Sequence, residues 1–224
     1  MRVKLVAHTP NPLYVCAEAA AVCYKSEPDL KIVKHCIRSG HHSPLEHSSF
    51  TFRIEGISRA CSLQLVRHRM ASYSQESQRY VNYDGDDINW AIFGISDAAQ
   101  EIINCCNEAF DHYSELVRHG HKPEDARLVL PNATPTTIYV TMNIRALMNF
   151  FNERLCTRAQ YEIRKMAVMM KLAILKSADI SDEEKEIFKK IFVAKCEKFD
   201  VPFCPEVKGC GIHKTLKELT SSES

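Results

Sequence analysis

The sequence predicts an α+β fold, a single helix-rich domain with a small, mostly antiparallel sheet. Short β-branched or alternating segments indicate the strands, and longer segments with apolar residues spaced three and four apart indicate the helices. Gly, Pro and Ser residues at the ends of these segments match the signals that begin and end helices. The chain has 224 residues and is 45% hydrophobic, enough for one domain core and short for two. We therefore expect residues 1–224 to form one domain.

Three segments are predicted strands. Residues 3–7 are short and apolar, 48–55 alternate with Phe50, Phe52 and Ile54 on one side, and 136–142 are β-branched. The polar residues 72–89 lack a long period and predict an extended loop, which at that length is usually functional. The polar tail, 215–224, is expected to fray.

The predicted helices alternate with these strands. Gly40 is a C-cap for the second helix, Ser96 an N-cap for the fourth, and Ser181 opens a capping box for the last. A break is expected near 155–158, within a long helical region. The predicted helices cover residues 14–24, 29–39, 58–66, Ser96 to Gly120, a short helix from Pro123, 143–176, and Ser181 toward Phe199.

Composition excludes several classes of protein. The formal net charge is +1 with 25% charged residues, so a dedicated nucleic-acid binder is not expected. The sequence has no apolar run of about 18 residues, and its first residues have no signal-peptide pattern. We expect a cytoplasmic protein that binds neither nucleic acid nor a membrane.

The chain contains ten cysteines. Most, such as Cys16, Cys23, Cys36 and Cys61, lie on apolar faces of predicted helices, which is typical of small buried thiols. A Cys₃His zinc site is the alternative for the C-terminal segment, although its spacing is loose, and the sequence prediction therefore includes no metal ligand. That alternative set is Cys196, Cys204, Cys210 and His213.

The segment from Arg67 to Tyr80 has the clearest chemical pattern. Arg67-His68-Arg69 is followed by hydroxyl and amide side chains and then by Arg79. Arginine offers planar donors suited to phosphate, so this inventory favours an anionic ligand rich in hydrogen-bonding groups, such as a nucleotide. The alternative is that these arginines are solvated and interact only with the negative, C-terminal end of a helix dipole.

This segment resembles the signature of the flavin-dependent thymidylate synthases: Arg-His-Arg, seven residues, Ser, and then Arg-Tyr. Ser74-Gln75 stands where some members have Asn-Glu, so no carboxylate role is carried over to Gln75. Other segments resemble the family in the same order along roughly residues 1–175. They are residues 40–47, Gln64, 126–131, 143–154 and 159–164.

The resemblance implies a fold like that of the thymidylate synthase-complementing proteins, assembled as a homotetramer with shared sites that bind FAD. The sequence has no Gly-x-Gly-x-x-Gly, so a Rossmann site is not expected. For Asn149 a buried structural amide is the alternative. The FAD-binding residues implied are His41, Ser43, Arg67, His68, Arg69, Gln75, Asn143, Arg145 and Asn149.

The resemblance also implies a binding site for deoxyuridine monophosphate (dUMP). Arg154 is the implied catalytic residue, facing the uracil and stabilising negative charge on it; the alternative is an exposed ion pair with Glu153 or Glu162. Ser77 is expected to bind rather than to act as a nucleophile, since no activating base is implied. The dUMP-binding residues implied are Gln64, Arg67, Gln75, Glu76, Ser77, Gln78, Arg79, Arg127 and Arg154.

The implied reaction is reductive methylation of dUMP to thymidylate. Methylenetetrahydrofolate (5,10-methylenetetrahydrofolate) donates the carbon, FAD carries the hydride and NADPH is the reductant. No cysteine lies in the signature segment, in agreement with a mechanism that needs no cysteine nucleophile. A redox enzyme that uses the same flavin site for another substrate is the rival, and Ser77, Arg79 and Arg127 argue against it.

Overall fold

The computed structural model describes residues 1–94 and 97–221. Its four strands are β1 (Arg2–His8), β2 (Ser49–Ser58), β3 (Ser72–Gln75) and β4 (Pro135–Asn143). They form one antiparallel sheet in the order β1-β2-β4-β3, which confirms the predicted fold class. On β2 the side chains alternate as expected, and Phe50, Phe52 and Ile54 are fully buried.

Helices make up most of the remaining regular structure. Among the described residues, no helix is both long and apolar enough to cross a bilayer. Ser43–His47 and Arg127–Val129 are short 3₁₀ turns. The helices are α1 (Pro12–Tyr24), α2 (Leu30–Arg38), α3 (Arg59–Leu65), α4 (Ala99–Arg118), α5 (Pro123–Ala126), α6 (Ile144–Arg154), α7 (Tyr161–Leu175), α8 (Asp182–Ile191) and α9 (Leu216–Thr220).

The chain divides into two compact units, described separately below. The first contains Met1–Arg2 and Arg53–Val140, and the second contains Val3–Phe52 and Thr141–Ser224. The expectation of one domain over residues 1–224 stays a prediction.

The first unit has a core built around two tyrosines. Tyr113 of α4 is fully buried, and its ring stacks on Phe110 with centroids 5.9 Å apart. Its hydroxyl accepts a hydrogen bond from the backbone N–H of Tyr83 at 3.2 Å. Tyr83 therefore joins the loop after β3 to α4, with Ala126 of α5 in the same buried cluster.

In the second unit, aromatic side chains from α6 and α8 pack together. Phe151 and Phe192 have ring centroids 4.9 Å apart, and Phe188 stacks on Phe192 at 5.0 Å. All three are fully buried. Phe50 of β2 meets Phe188 edge to face at 5.7 Å, so this aromatic cluster connects the helices to the sheet.

A buried carboxylate joins α8 to the start of α1. Glu184 is 3% exposed and completes the predicted capping box with Ser181. Its Oε1 also accepts a hydrogen bond from the backbone N–H of Leu13 at 2.8 Å. Since the first N–H groups of a helix have no partner within the helix, Glu184 satisfies donors at the beginning of two helices.

Three boundaries differ from the predictions. Residues 72–75 form the strand β3 rather than a loop. This strand exists because it pairs with β4, and the polar sequence Ser-Tyr-Ser-Gln does not predict that pairing. Helix α8 ends at Ile191, well before Phe199. Residues 216–220 form α9, where fraying was expected, because Thr215 and Glu218 make a second capping box. Ser96 and residues 222–224 lie outside the described residues.

We predict that Glu184→Ala lowers the free energy of unfolding by about 2–3 kcal/mol, because it leaves the buried Leu13 N–H without its acceptor and removes the capping box. The control is Glu183→Ala, which removes only an exposed pair with Lys34 (3.2 Å) and is expected to cost less than about 1 kcal/mol. Urea unfolding of the three proteins measures both values. Equal losses in the two variants would contradict the role of Glu184.

Candidate functional site

The Arg-His-Arg segment forms a tight turn after α3. Helix α3 begins with the Ser58 hydroxyl accepting from Cys61 N at 2.9 Å, and the turn begins where His68 N donates to Leu65 O at 3.1 Å. The hydroxyl of Tyr73 on β3 lies 2.9 Å from Leu65 O and 2.8 Å from His68 O. The Tyr73 hydroxyl thus holds the backbone of the turn against the interior of the first unit.

The charged side chains of this turn face outward. Arg67 and Arg69 are exposed, and His68 is half-buried. Burial raises the pKa of Tyr73 to about 12, so at neutral pH its hydroxyl is protonated and donates to the carbonyls of the turn. The turn therefore presents two cations on a rigid backbone, close to the C-terminal end of α3.

Gln75 has its amide nitrogen engaged inside the protein. The nitrogen donates to Ser62 Oγ of α3 at 2.9 Å and to Thr136 Oγ1 of β4 at 3.3 Å. Gln64, also on α3, is half-buried. A ligand contact by Gln75 is thus limited to its amide oxygen or its backbone.

Glu76 anchors the loop that follows β3. Its backbone N–H donates to Thr137 O at 2.9 Å, and its carboxylate accepts from the Tyr83 hydroxyl at 2.5 Å. Arg59 Nη1 donates to its carbonyl at 3.3 Å. Burial, and then the neighbouring Glu76 carboxylate, raise the pKa of Tyr83, so the tyrosine stays a donor. Glu76 is one of the residues predicted to bind dUMP, whereas Tyr83 is not among the predicted site residues.

Ser77 closes the next turn of the loop. Its Oγ accepts from Arg79 N at 3.2 Å, and its carbonyl accepts from Tyr80 N and Val81 N at 3.2 and 3.0 Å. Gln78 is half-buried. The turn sets the direction in which Arg79 leaves the backbone.

Arg79 and Arg127 meet at one carboxylic residue, Glu124 of α5. Arg79 Nε donates to Glu124 Oε2 at 2.6 Å, and Arg127 Nε donates to the Glu124 backbone carbonyl at 3.1 Å. The bonded guanidinium of Arg79 lowers the pKa of Glu124 below its ordinary value, and Arg127 adds to the effect. Two cations distant in sequence therefore lie around one anion. Glu124 is not among the predicted site residues; in the sequence it is marked by nothing more than its position three residues before Arg127.

In the second unit, α6 and its N-cap carry four of the predicted residues. Asn143 is the N-cap, and its Oδ1 accepts from Ala146 N at 2.8 Å. Arg145 and Asn149 are four residues apart on α6 and both are exposed, so the alternative of a buried amide at Asn149 is wrong. Arg145 forms an ion pair with Glu46 of the Ser43–His47 turn. That pair brings α6 together with the segment containing Ser43 and His41, which are exposed.

Arg154 is the last residue of α6 and is half-buried, with interactions inside the protein. Glu153, one candidate for an exposed pair with it, forms a pair with Lys195 at 3.6 Å. Glu162, the other candidate, is only 3% exposed.

The predicted residues therefore fall into two groups. The first unit contains Gln64, Arg67, His68, Arg69, Gln75, Glu76, Ser77, Gln78, Arg79 and Arg127, and the second contains His41, Ser43, Asn143, Arg145, Asn149 and Arg154. Each group presents exposed cations and amides on turns or helix faces held by internal hydrogen bonds. This arrangement is typical of an α+β protein that binds anionic ligands of the nucleotide type.

Comparison with known proteins identifies the family. The sequence model of the thymidylate synthase complementing proteins matches residues 4–178, and the chain belongs to that family. The flavin-dependent thymidylate synthase of Geobacter sulfurreducens is 48% identical over 186 residues, covering 76% of this chain and 80% of the relative. That of Pyrococcus furiosus is 39% identical over 242 aligned positions, covering 97% and 96%.

Solved structures agree on the fold. The flavin dependent thymidylate synthase ThyX of Helicobacter pylori, complexed with FAD and dUMP, aligns with a TM-score of 0.70 at 24% identity over 85% of this chain and 99% of that chain. The UMP/dUMP methylase PolB of Streptomyces cacaoi, bound with 5-Br dUMP, aligns with a TM-score of 0.68 at 26% identity over 86% and 97%.

We predict that Tyr73→Phe lowers the free energy of unfolding by about 1 kcal/mol at pH 7, since Leu65 O and His68 O lose a donor. The folded-state pKa of Tyr73 lies above that of unfolded tyrosine, about 10, so the unfolded chain ionises first. The stability from this group is thus present below about pH 10 and lost as the pH rises toward 12. In that pH range, the free energy of unfolding of the variant should decline less steeply than that of the parent protein.

Urea unfolding between pH 7 and the onset of alkaline denaturation measures this difference. The control is Tyr24→Phe, which changes an exposed ring (62%) and should follow the parent protein. A Tyr73→Phe curve that is parallel to the parent curve at every pH would contradict the role of the hydroxyl.

Proposed function

We propose that this protein is a flavin-dependent thymidylate synthase, which converts dUMP to thymidylate with methylenetetrahydrofolate as carbon donor, FAD as hydride carrier and NADPH as reductant. The observation that carries the proposal is the family match over residues 4–178, since that range contains every residue expected to bind FAD or dUMP. The names of the Geobacter and Pyrococcus relatives support the same activity.

The nucleotide phosphate is proposed to bind at Arg79 and Arg127. Arg79 pairs with the Glu124 carboxylate, and Arg127 donates to the Glu124 backbone carbonyl. Because an exposed ion pair contributes little free energy, a phosphate can replace the carboxylate at Arg79 at low cost. A phosphate accepts two parallel N–H bonds from a guanidinium, as a carboxylate does. The Ser77 turn lies in the same loop, where Ser77 Oγ accepts a hydrogen bond from the backbone N–H of Arg79.

The flavin is proposed to bind to the Arg67–Arg69 turn and to the exposed face of α6 with residues 41–43. The donor set fits FAD: guanidinium groups for the pyrophosphate, and imidazole, hydroxyl and amide groups for neutral hydrogen bonds. When bound, FAD supplies the hydride chemistry, and this chain supplies binding and orientation. Because these side chains are exposed in one chain, we propose that a homotetramer completes each site, and light scattering should give four times the 25.5-kDa mass.

Arg154 is proposed as the catalytic residue. A half-buried cation beside the uracil would stabilise the negative charge that develops on the ring when its nitrogen 3 ionises. Its position at the end of α6, whose first turn carries Arg145, supports a uracil contact on the same helix as the expected flavin contacts. The protein thereby orients and polarises the reacting groups.

The experiment that tests the function is tritium release from carbon 5 of labelled dUMP. We expect release with methylenetetrahydrofolate, FAD and NADPH together, and little release when FAD or NADPH is omitted. A protein that cannot be reconstituted with FAD, or that binds FAD and never releases tritium, would overturn the proposal.

We predict that Arg154→Ala keeps FAD bound and lowers turnover by about 10²–10³-fold, because it removes a cation that acts on the developing charge. The flavin absorbance of the purified variant measures cofactor retention, and the tritium assay measures turnover. Arg118→Ala is the matched control, since Arg118 forms an exposed pair with Asp84 at 3.6 Å. Near-parental turnover in Arg154→Ala would refute the assignment.

A further inference from the structure

A small cavity in the second unit is lined by an unusual number of sulfur side chains. The cavity has a volume of about 160 Å³ and lies between the segment after α6 and the segment after α8. Its walls contain four thiols and one imidazole, from residues that the family resemblance does not use. They are Cys156, Cys196, Cys204, Cys210 and His213.

These thiols differ from those of the core. Cys16, Cys36 and Cys61 are at most 2% exposed and pack as small hydrophobic side chains. In contrast, Cys156 and Cys196 are half-buried and Cys210 is exposed. Cys204, the fourth thiol, is 6% exposed, so packing accounts for that residue but not for the other three.

The surrounding chain has little regular structure of its own. Between α8 and α9, the described backbone contains only an isolated bridge between Cys204 and Thr215. Phe203 N donates to Cys196 O at 3.2 Å, and Cys204 N donates to Lys214 O at 2.8 Å. A Cβ at Gly209 would lie only 3.1 Å from Thr215 Cγ2, so the glycine lets the loop pass close to Thr215. Segments with such small cores commonly need a metal or a disulfide to hold them.

We propose that Cys156, Cys196, Cys204 and Cys210 bind one zinc ion as a structural site that fastens the C-terminal segment to the end of α6. Four thiolates at about 2.3 Å form the tetrahedral set that structural zinc prefers. In the part of the chain described, no three His, Cys, Asp or Glu side chains are already arranged around a common ion position. Binding therefore requires the thiols to turn between staggered χ1 rotamers toward the cavity.

Ion pairs beside the cavity connect its wall to the C-terminal loop, and the lining also contains one carboxylate, Glu197. Lys195 and Arg158 both line the cavity. Both also pair with Glu206, and Arg158 Nη1 donates to Lys208 O at 2.6 Å. These contacts connect the wall of the cavity to the loop that contains Cys204 and Cys210. Four thiols also exceed what one disulfide uses, which favours a metal.

The test begins with the metal content of the protein, purified in reducing buffer from cells grown with zinc. We expect about one zinc per chain by elemental analysis. Removal of the metal by a chelator should lower the melting temperature and make the segment after Ile191 sensitive to protease, and added Zn²⁺ should reverse both effects. Cobalt-loaded protein should show the visible and thiolate charge-transfer absorption of a tetrahedral sulfur site.

Variants then test the ligand set. Cys196→Ser and Cys204→Ser should lose zinc, whereas Cys23→Ser, which changes an exposed thiol outside the cavity, and His213→Asn should retain it. Zinc loss in His213→Asn would overturn the four-thiol set. Parent protein that contains no zinc and takes up neither Zn²⁺ nor Co²⁺ after reduction would overturn the site, as would a cavity disulfide found by thiol counting in non-reduced protein. These readouts are independent of thymidylate formation.

Discussion

The hydrogen bonds that hold the Ser72–Arg79 segment against α3 and β4 are the constraint on which the first group of site residues depends. Tyr73, Gln75 and Glu76 each use a polar side chain inward, toward backbone carbonyls, hydroxyls and a buried tyrosine. Because these groups are satisfied within the protein, the loop is held without covering its cations with apolar side chains. The guanidinium groups of Arg67, Arg69 and Arg79 are therefore left at the surface, where an anion can reach them.

Carboxylates organise the arginines in both units. The Glu124 carboxylate pairs with Arg79 in the first unit, where Arg127 donates to the Glu124 backbone carbonyl, and the Glu46 carboxylate pairs with Arg145 in the second. An exposed ion pair contributes little to stability, so its main effect is to restrict where the cation lies. An anionic ligand then displaces a carboxylate from an arginine that is already near its binding position, which reduces the ordering cost of binding.

Much of the fold could be predicted because its signals are local. The alternating Phe50, Phe52 and Ile54 and the capping box at Ser181 lie where the pattern predicts them, and Gly40 (φ 74°) directly follows Ser39, the C-cap of α2. β3 could not be predicted, since its four polar residues become a strand only by pairing with β4. The early end of α8 has a similar cause: Phe192 turns into the aromatic cluster, and that packing outweighs helix propensity.

The family, and the set of groups that a nucleotide and a flavin would require, can be predicted from residue identity and spacing along the chain. The folded structure is needed to say which of those groups face solvent and which are used internally. It turned Gln75 and Glu76 inward, left Asn149 exposed, and brought Cys156 to the same cavity as Cys196, Cys204 and Cys210. Such outcomes depend on contacts between residues far apart in the chain, and spacing along the sequence does not predict those contacts.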